Sequence, residues 1–360
     1  MRITSPTAIL FLAVLYCTGD ANSQDAIGSV AGYPDGVQSV EYRSAGDDSM
    51  QPTLIWYPKS DQPVPLLVSL HTWSSDYRQS GGEAQYAMWC QKAGWAFVHP
   101  NFRGVNKTHQ ALGSDLVVAD IVSAVNFVKS QTKIDASRIY CVGVSGGGHA
   151  SLLMASRAPE LWAGVSAWCG ISDIKQWHQQ CQGTSTDRYA RMIESALEGS
   201  PQTSERCSID AWHRSPLKWF GETQQLPPLD INHGINDGRS GSVPFSHSML
   251  AYIAAVSHGD AAAEPFNEQS VSQFYETRQI PEALKSINTD LSDPLYGNHP
   301  PLFRVHTDRV RLTLFDGGHE IVHEAALNWL AAQTKGRPVN WKPKRQIEFT
   351  SDDDDKQSGK

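Results

Sequence analysis

The stretch 137–158, SRIYCVGVSGGGHASLLMASRA, constrains the fold of this chain more than any other. Ile139, Tyr140, Val142 and Val144 form a short apolar, β-branched run of the kind expected in a central strand covered on both faces. Ala150, Leu152, Leu153, Met154 and Ala155 then suit a helix packed against a sheet. Between them, Gly143-Val144-Ser145-Gly146-Gly147 matches the G-x-S-x-G pattern, a sharp strand-to-helix turn with a serine at its apex. Glycines two before and two after are needed there because a Cβ would meet the neighbouring strand or helix. The turn would hold the hydroxyl of Ser145 out over the sheet, beside the first N–H groups of the helix.

The remaining pattern builds a sheet around that strand. Val37–Tyr42 and Pro52–Tyr57 read as a hairpin, and Pro65–Trp73 as a buried strand with polar and aromatic residues at its end. Glu83–Gly94 reads as a helix with a glycine stop, Trp95–Pro100 as a strand, and Ser114–Gln131 as a helix capped by Ser114. After the serine turn come a strand over Leu161–Ser172 and a polar, aromatic-rich excursion over Lys175–Arg214. A strand over Pro227–His233, a helix over Ser246–Ser257, an irregular segment at 260–307, a strand at Val310–Phe315 and a helix over Glu320–Thr334 complete the series. Strands alternating with helices predict a mostly parallel sheet with helices on both faces. No repeat or linker divides 24–340, which is read as one domain.

The N-terminus has Arg2, an apolar run from Ala8 to Tyr16, and Ala21-Asn22-Ser23, a small-residue site that predicts a signal peptide over 1–23. Export to the periplasm or the medium follows, and the run is too short to span a bilayer. A net charge of −8 offers no basic field for nucleic acid. Cleavage would remove Cys17 and leave Cys90, Cys141, Cys169, Cys181 and Cys207, an odd number. Cys141 and Cys169 read as buried thiols, Cys181 and Cys207 as a candidate bridge, and the spacings match no zinc site. The tail 341–360 contains Ser351-Asp-Asp-Asp-Asp-Lys356, which resembles an expression tag.

A serine hydroxyl becomes a useful nucleophile when an imidazole takes its proton and a carboxylate fixes the tautomer of that imidazole. In sheets of this type the partners follow in the order serine, acid, histidine, on loops at the C-terminal ends of strands. Asp237 in His233-Gly-Ile-Asn-Asp237 and His319 in Asp316-Gly-Gly-His319 occupy those places. Asp230, Asp316, His149 and His323 are competing candidates that sit inside strands, at turns or on helices. The backbone of Gly146 and of Trp73, in His71-Thr72-Trp73, are the candidate oxyanion donors. Thr72, Trp168 and Trp177 are candidate substrate contacts, and the tryptophans at 73, 168, 177, 212 and 219 could form an aromatic wall for a sugar or aryl group.

Four separated segments resemble the catalytic domain of the prolyl oligopeptidase family within the α/β-hydrolase superfamily. They are Asn101-Phe-Arg-Gly104, Gly143–Gly148, Ser215-Pro-Leu217 with His233-Gly-Ile-Asn-Asp237 and Val243-Pro244, and Gly318-His319-Glu320. The resemblance implies an α/β-hydrolase fold with Ser145, Asp237 and His319 as its triad. Three departures stand out. His71-Thr72-Trp73 replaces the usual His-Gly-Gly loop, Gly238–Ser242 lengthens the link from Asp237 to Val243-Pro244, and the stretch from Asp237 to His319 is longer than a strand and helix require. The last predicts an insertion at 260–307 before the histidine that, like 175–214, could lie over the site as a lid. No propeller precedes the hydrolase segments, which implies similarity to exported stand-alone esterases acting on small-molecule or glycan esters. No metal or organic cofactor is expected, and the oligomeric state is left open. The alternatives are a serine peptidase with the same triad, which would need carboxylates to hold a substrate amine, and a non-catalytic binding protein on the same scaffold.

Overall fold

The computed structural model describes residues 30–346 apart from 224 and 259–264. The predicted signal peptide, Cys17 and the aspartate run at 351–356 lie outside the described residues. In chain order the strands and helices are β1 (Gln38–Arg43), β2 (Met50–Trp56), β3 (Val64–Leu70), α1 (Gly82–Ala93), β4 (Ala96–Pro100), α2 (Asp115–Gln131), β5 (Ile134–Val144) and α3 (Gly146–Arg157). They continue with β6 (Gly164–Trp168), α4 (Ile174–Cys181), α5 (Asp187–Leu197), α6 (Glu205–His213), α7 (Pro216–Phe220) and β7 (Leu229–Gly234). Last come α8 (Ser246–Ser257), α9 (Glu268–Thr277), α10 (Glu282–Lys285), β8 (Pro301–His306), β9 (Val310–Phe315) and α11 (His323–Ala331).

The strands form one nine-stranded sheet in the order β1-β2-β4-β3-β5-β6-β7-β9-β8. From β4 through β9 the pairings are parallel, and only β1, β2 and β8 run antiparallel to their neighbours. Strands β3, β4, β6, β7 and β9 are buried along their whole length, as parallel strands must be when helices cover both faces. Successive side chains feed opposite layers. Leu66, Val68, Leu70, Ile139 and Cys141 join the core under α2, α3 and α8, whereas Leu67, Tyr140 and Val142 join Trp89 of α1 and Trp329 of α11 on the other face. Ser114 caps α2 through an N–H of Val117, as its sequence predicts.

The segment predicted as irregular contains α9, α10 and the edge strand β8, which pairs antiparallel with β9. Phe266, Val271, Phe274 and Phe303 bury the segment against Tyr252 of α8. The excursion at 175–214 folds into α4, α5 and α6, which close a third core around Trp73, Leu112, Trp177 and Ile193. The candidate bridge between Cys181 and Cys207 is not formed. All five described cysteines are buried free thiols, and Sγ of Cys207 donates to the carbonyl of Leu197, 3.3 Å away. No helix among the described residues is long and apolar enough to cross a membrane.

Candidate active site

The turn from β5 to α3 places Ser145 at φ 59° and ψ −118°, a conformation that a side-chain-bearing residue adopts only under strain. Its N–H donates to the carbonyl of Trp168 and its carbonyl accepts from the N–H of His149, both at 2.9 Å, so the strained residue is held from both sides. A Cβ on Gly143 would lie 2.4 Å from the carbonyl carbon of Gly147, and one on Gly147 would lie 2.2 Å from the carbonyl oxygen of Leu70. Only glycine lets the strand, the helix and β3 approach this closely.

Ser145 opens into a cavity of about 470 Å³, which His319, Thr72, Trp73, Glu83 and Tyr86 also line. That volume suits a small organic ligand. His319 enters from the loop after β9, and its Nδ1 donates to Oδ2 of Asp237 at 2.6 Å. With the proton on Nδ1, Nε2 is free to accept one on the cavity side. In this structure the hydrogen-bond partner of Nε2 is the hydroxyl of Ser242, 3.4 Å away.

Asp237, in the loop after β7, is fully buried and accepts four N–H groups. Oδ1 takes the backbone amides of Gly238 at 2.8 Å and Val243 at 3.1 Å, and Oδ2 takes His319 and Nε2 of His233 at 2.9 Å. Burial works to raise the pKa of this carboxyl, but the hydrogen bonds from His233 and His319 overcome it and hold Asp237 well below the usual carboxylate range. The lengthened link Gly238–Ser242 wraps this acid so tightly that a Cβ on Gly241 would fall 2.1 Å from its Oδ1.

The first turn of α3 meets the loop after β3, where a Cβ on Gly146 would lie 2.3 Å from the backbone nitrogen of Trp73. The amides of Gly146 and Trp73 are therefore neighbours beside Ser145. The N–H of Thr72 is committed to Oε1 of Gln79 at 2.9 Å, which leaves that of Trp73 as the loop's available donor. His71 anchors the loop by stacking on Phe102, with its ring nitrogens 2.9 and 2.8 Å from the carbonyl oxygens of Thr72 and Asn101.

Two predicted substrate contacts lie elsewhere. Trp168 is fully buried among Tyr296 and Phe315, with Nε1 donating to Ser166, and Trp177 packs edge-on behind Trp73 and donates to the carbonyl of Ser242. Trp219 sits between Lys218 and Arg157 and Trp212 is solvent-exposed, so of the predicted aromatic wall only Trp73 lines the cavity. None of the lining residues comes from 265–307, and the excursion at 175–214 supplies Arg188 and Tyr189 instead. Segment 265–307 lies behind the acid, where Arg278 donates to the carbonyl of Asp237.

The competing candidates have other partners. Asp230 forms a buried two-point ion pair with Arg311, Nδ1 of His149 lies 2.9 Å from the carbonyl of Ile171, and Asp316 is exposed. His323 does line the cavity, but its Nδ1 faces the hydroxyl of Tyr86 at 3.0 Å and burial lowers its pKa to about 4.

Two polar residues of the site carried no role in the sequence reading. His233 has Nε2 within reach of both Asp237 and the carbonyl of Val243, so this nitrogen bears the proton, and Nδ1 accepts from Ser248 at 2.7 Å. Its position four before Asp237 was the available signal. Glu83 falls on the buried stripe of α1 with Tyr86, Ala87 and Cys90, and an acid at such a position is itself the signal. Cys169, Asp237 and His319 bring potential ligand atoms within 4.8 Å of one another. The oxygens of Asp237 already accept four N–H groups and burial keeps the Cys169 thiol protonated, so the trio suits hydrogen bonding better than metal ligation.

The comparisons with known proteins agree with this architecture. The family model described as the prolyl oligopeptidase family matches residues 83–266, just over half of the chain. Feruloyl esterase B of Neurospora crassa is 27% identical over 189 residues, covering 48% of this chain and 58% of that protein. Dipeptidyl aminopeptidase BIII of Pseudoxanthomonas mexicana is 27% identical over 245 residues, covering 61% of this chain and 33% of that protein. Acetylxylan esterase A of Emericella nidulans is 26% identical over 172 residues, covering 42% of this chain and 55% of that protein. The aligned part of the chain thus spans between a third and three-fifths of these curated relatives. With a family match across β3's neighbours, the serine turn and β7, on an open, mostly parallel sheet, the chain belongs to the prolyl oligopeptidase family of serine hydrolases.

Proposed function

We propose that this protein is an exported serine esterase that cleaves carboxylic esters, including acyl esters on carbohydrates, through an acyl-enzyme formed on Ser145. Nε2 of His319 takes the proton of Ser145 as Oγ attacks the ester carbonyl, and the oxyanion is received by the amides of Gly146 and Trp73. Collapse breaks the bond to the alcohol oxygen, which leaves with the proton from His319. Water then repeats the sequence on the acyl-serine and releases the acid. Asp237 keeps the Nδ1 proton of His319 in place throughout and stabilises the imidazolium.

The observation that carries this reading is the 2.6 Å bond from His319 to a buried, ionised Asp237, behind a cavity into which the strained Ser145 also opens. Relatives named feruloyl esterase and acetylxylan esterase support the ester class, and the signal-peptide pattern of the sequence at 1–23 supports export. A peptidase reading has one observation in its favour, the carboxyl of Glu83 in the cavity, together with a relative named dipeptidyl aminopeptidase. Hydrolysis of p-nitrophenyl acetate compared with an aminoacyl p-nitroanilide separates the two. The esterase reading expects kcat/KM for the ester to exceed that for the anilide by at least 100-fold, and anilide cleavage of equal efficiency would favour the peptidase.

A further inference from the structure

We propose that Glu83, with Gln79 behind it, is the acceptor of a subsite that binds a hydroxyl group of the substrate. This subsite assignment rests on the reading of Ser145 as the nucleophile. Glu83 is 3% exposed, on the first turn of α1, and lines the same cavity as Ser145 and His319. Its Oε1 accepts from Nε2 of Gln79 at 2.9 Å. Gln79 in turn accepts from both the N–H and the hydroxyl of Thr72 at 2.9 Å, which ties the carboxyl to the loop that carries Trp73. The other oxygen, Oε2, is buried and has no hydrogen-bond partner.

A buried acceptor without a donor is destabilising, and one that belongs to a residue lining a cavity calls for a water or a ligand group to complete it. Neighbouring donors are already used: the hydroxyl of Tyr33 donates to the carbonyl of Gln79, and Tyr86 pairs with His323. A group of the substrate that enters the cavity is the donor that the proposal supplies. Burial raises the pKa of Glu83 to about 7, and the groups that offset it are hydrogen-bond donors, Gln79 first among the side chains, with no cation. Arg188 lines the same cavity and would oppose a substrate ammonium. A neutral O–H donor meets both conditions, and the aromatic faces of Trp73, Tyr86 and Tyr189 suit the aryl ring or sugar ring that would bear it.

The hydroxyl could sit on the acyl half or on the alcohol half of the ester, and paired substrates separate these. One arm compares methyl 4-hydroxycinnamate with methyl 4-methoxycinnamate. The other compares an acetylated methyl xyloside with its O-methylated counterpart. In one arm the wild type should prefer the free hydroxyl by at least tenfold in kcat/KM, mainly through KM, and Glu83→Gln should bring that ratio to near one because its amide offers a donor where the carboxyl offered an acceptor. Free hydroxyl and ether used equally in both arms would overturn the subsite. A wild type that still hydrolyses p-nitrophenyl acetate would in that case leave the Ser145 reading intact. A preference for an aminoacyl ester over its N-acetyl form, lost in Glu83→Gln, would overturn the hydroxyl assignment in favour of an amine. Thermal melting gives a second readout. The raised pKa makes Glu83 lower the stability of the fold as pH rises from about 4.5 to about 7. Glu83→Gln should therefore melt above the wild type at pH 8 and close to it near pH 4.5, and an equal difference at both values would count against an uncompensated carboxyl.

Discussion

Ser145→Ala is expected to lower kcat for ester hydrolysis by about 10⁶-fold, because the variant has no oxygen on which an acyl-enzyme can form. What remains would come from the Gly146 and Trp73 amides and from substrate positioning. The same residue makes an opposite prediction for stability. At φ 59° and ψ −118° the backbone of Ser145 stores roughly 1–3 kcal/mol of strain, which the surrounding hydrogen bonds to Trp168 and His149 sustain. Glycine carries no such penalty, so Ser145→Gly should be as inactive as Ser145→Ala yet more stable towards urea. An active Ser145→Ala variant, within 100-fold of the wild type, would remove the nucleophile from the account. A Ser145→Gly variant less stable than Ser145→Ala would remove the strain.

Asp237→Asn is expected to lower kcat by about 10⁴-fold, for a reason that can be followed atom by atom. Oδ1 of Asp237 faces two backbone N–H groups and Oδ2 faces two imidazole N–H groups. An asparagine can present its oxygen to one pair only, and its NH₂ must then meet the N–H groups of the other. If the imidazoles meet the NH₂, the proton of His319 moves to Nε2 and the base is lost. Hydrogen bonds to a charged group are worth about 1.5–3 kcal/mol each, so the variant should also lose about 3–5 kcal/mol of stability at neutral pH. Asp237 has a lowered folded pKa, so its contribution is present above the ordinary carboxylate pKa and is lost as pH falls through the folded value. The gap in stability between wild type and Asp237→Asn should accordingly stay constant from pH 8 to pH 5 and close only in strong acid. A gap that closes near pH 6 would contradict the four-donor description of this carboxylate.

The parts of the fold that were legible in the sequence are those with a local cause. Central strands are written as continuous apolar runs, and the serine turn is written as glycines at fixed offsets, because close approach of β3, β5 and α3 admits nothing larger. Strand β8 was not legible for the opposite reason. It is a short edge strand whose Arg304 is buried by pairing with Asp293 and Thr313, partners that only the folded chain brings near. The tryptophans show the same limit at the site. Trp73 and Trp168 each follow or end a parallel strand near Ser145, yet one faces the cavity and the other the core on the α11 side, and nothing in the local pattern separates the two faces. Glu83 and His233 were visible as residues, but their roles depend on how the loops after β3 and β7 fold back, bringing Thr72 and Gln79 to Glu83 and Asp237 to His233.

Trapping the covalent intermediate tests the account most directly. The protein would be treated with a fluorophosphonate, digested, and mapped by mass spectrometry, with Asp237→Asn alongside. One phosphonyl group per chain on the peptide that carries Ser145, formed far more slowly in Asp237→Asn, is the predicted result. A folded, ester-hydrolysing protein that stays unlabelled at Ser145, or carries the label on another residue, would contradict the assignment of Ser145 as nucleophile.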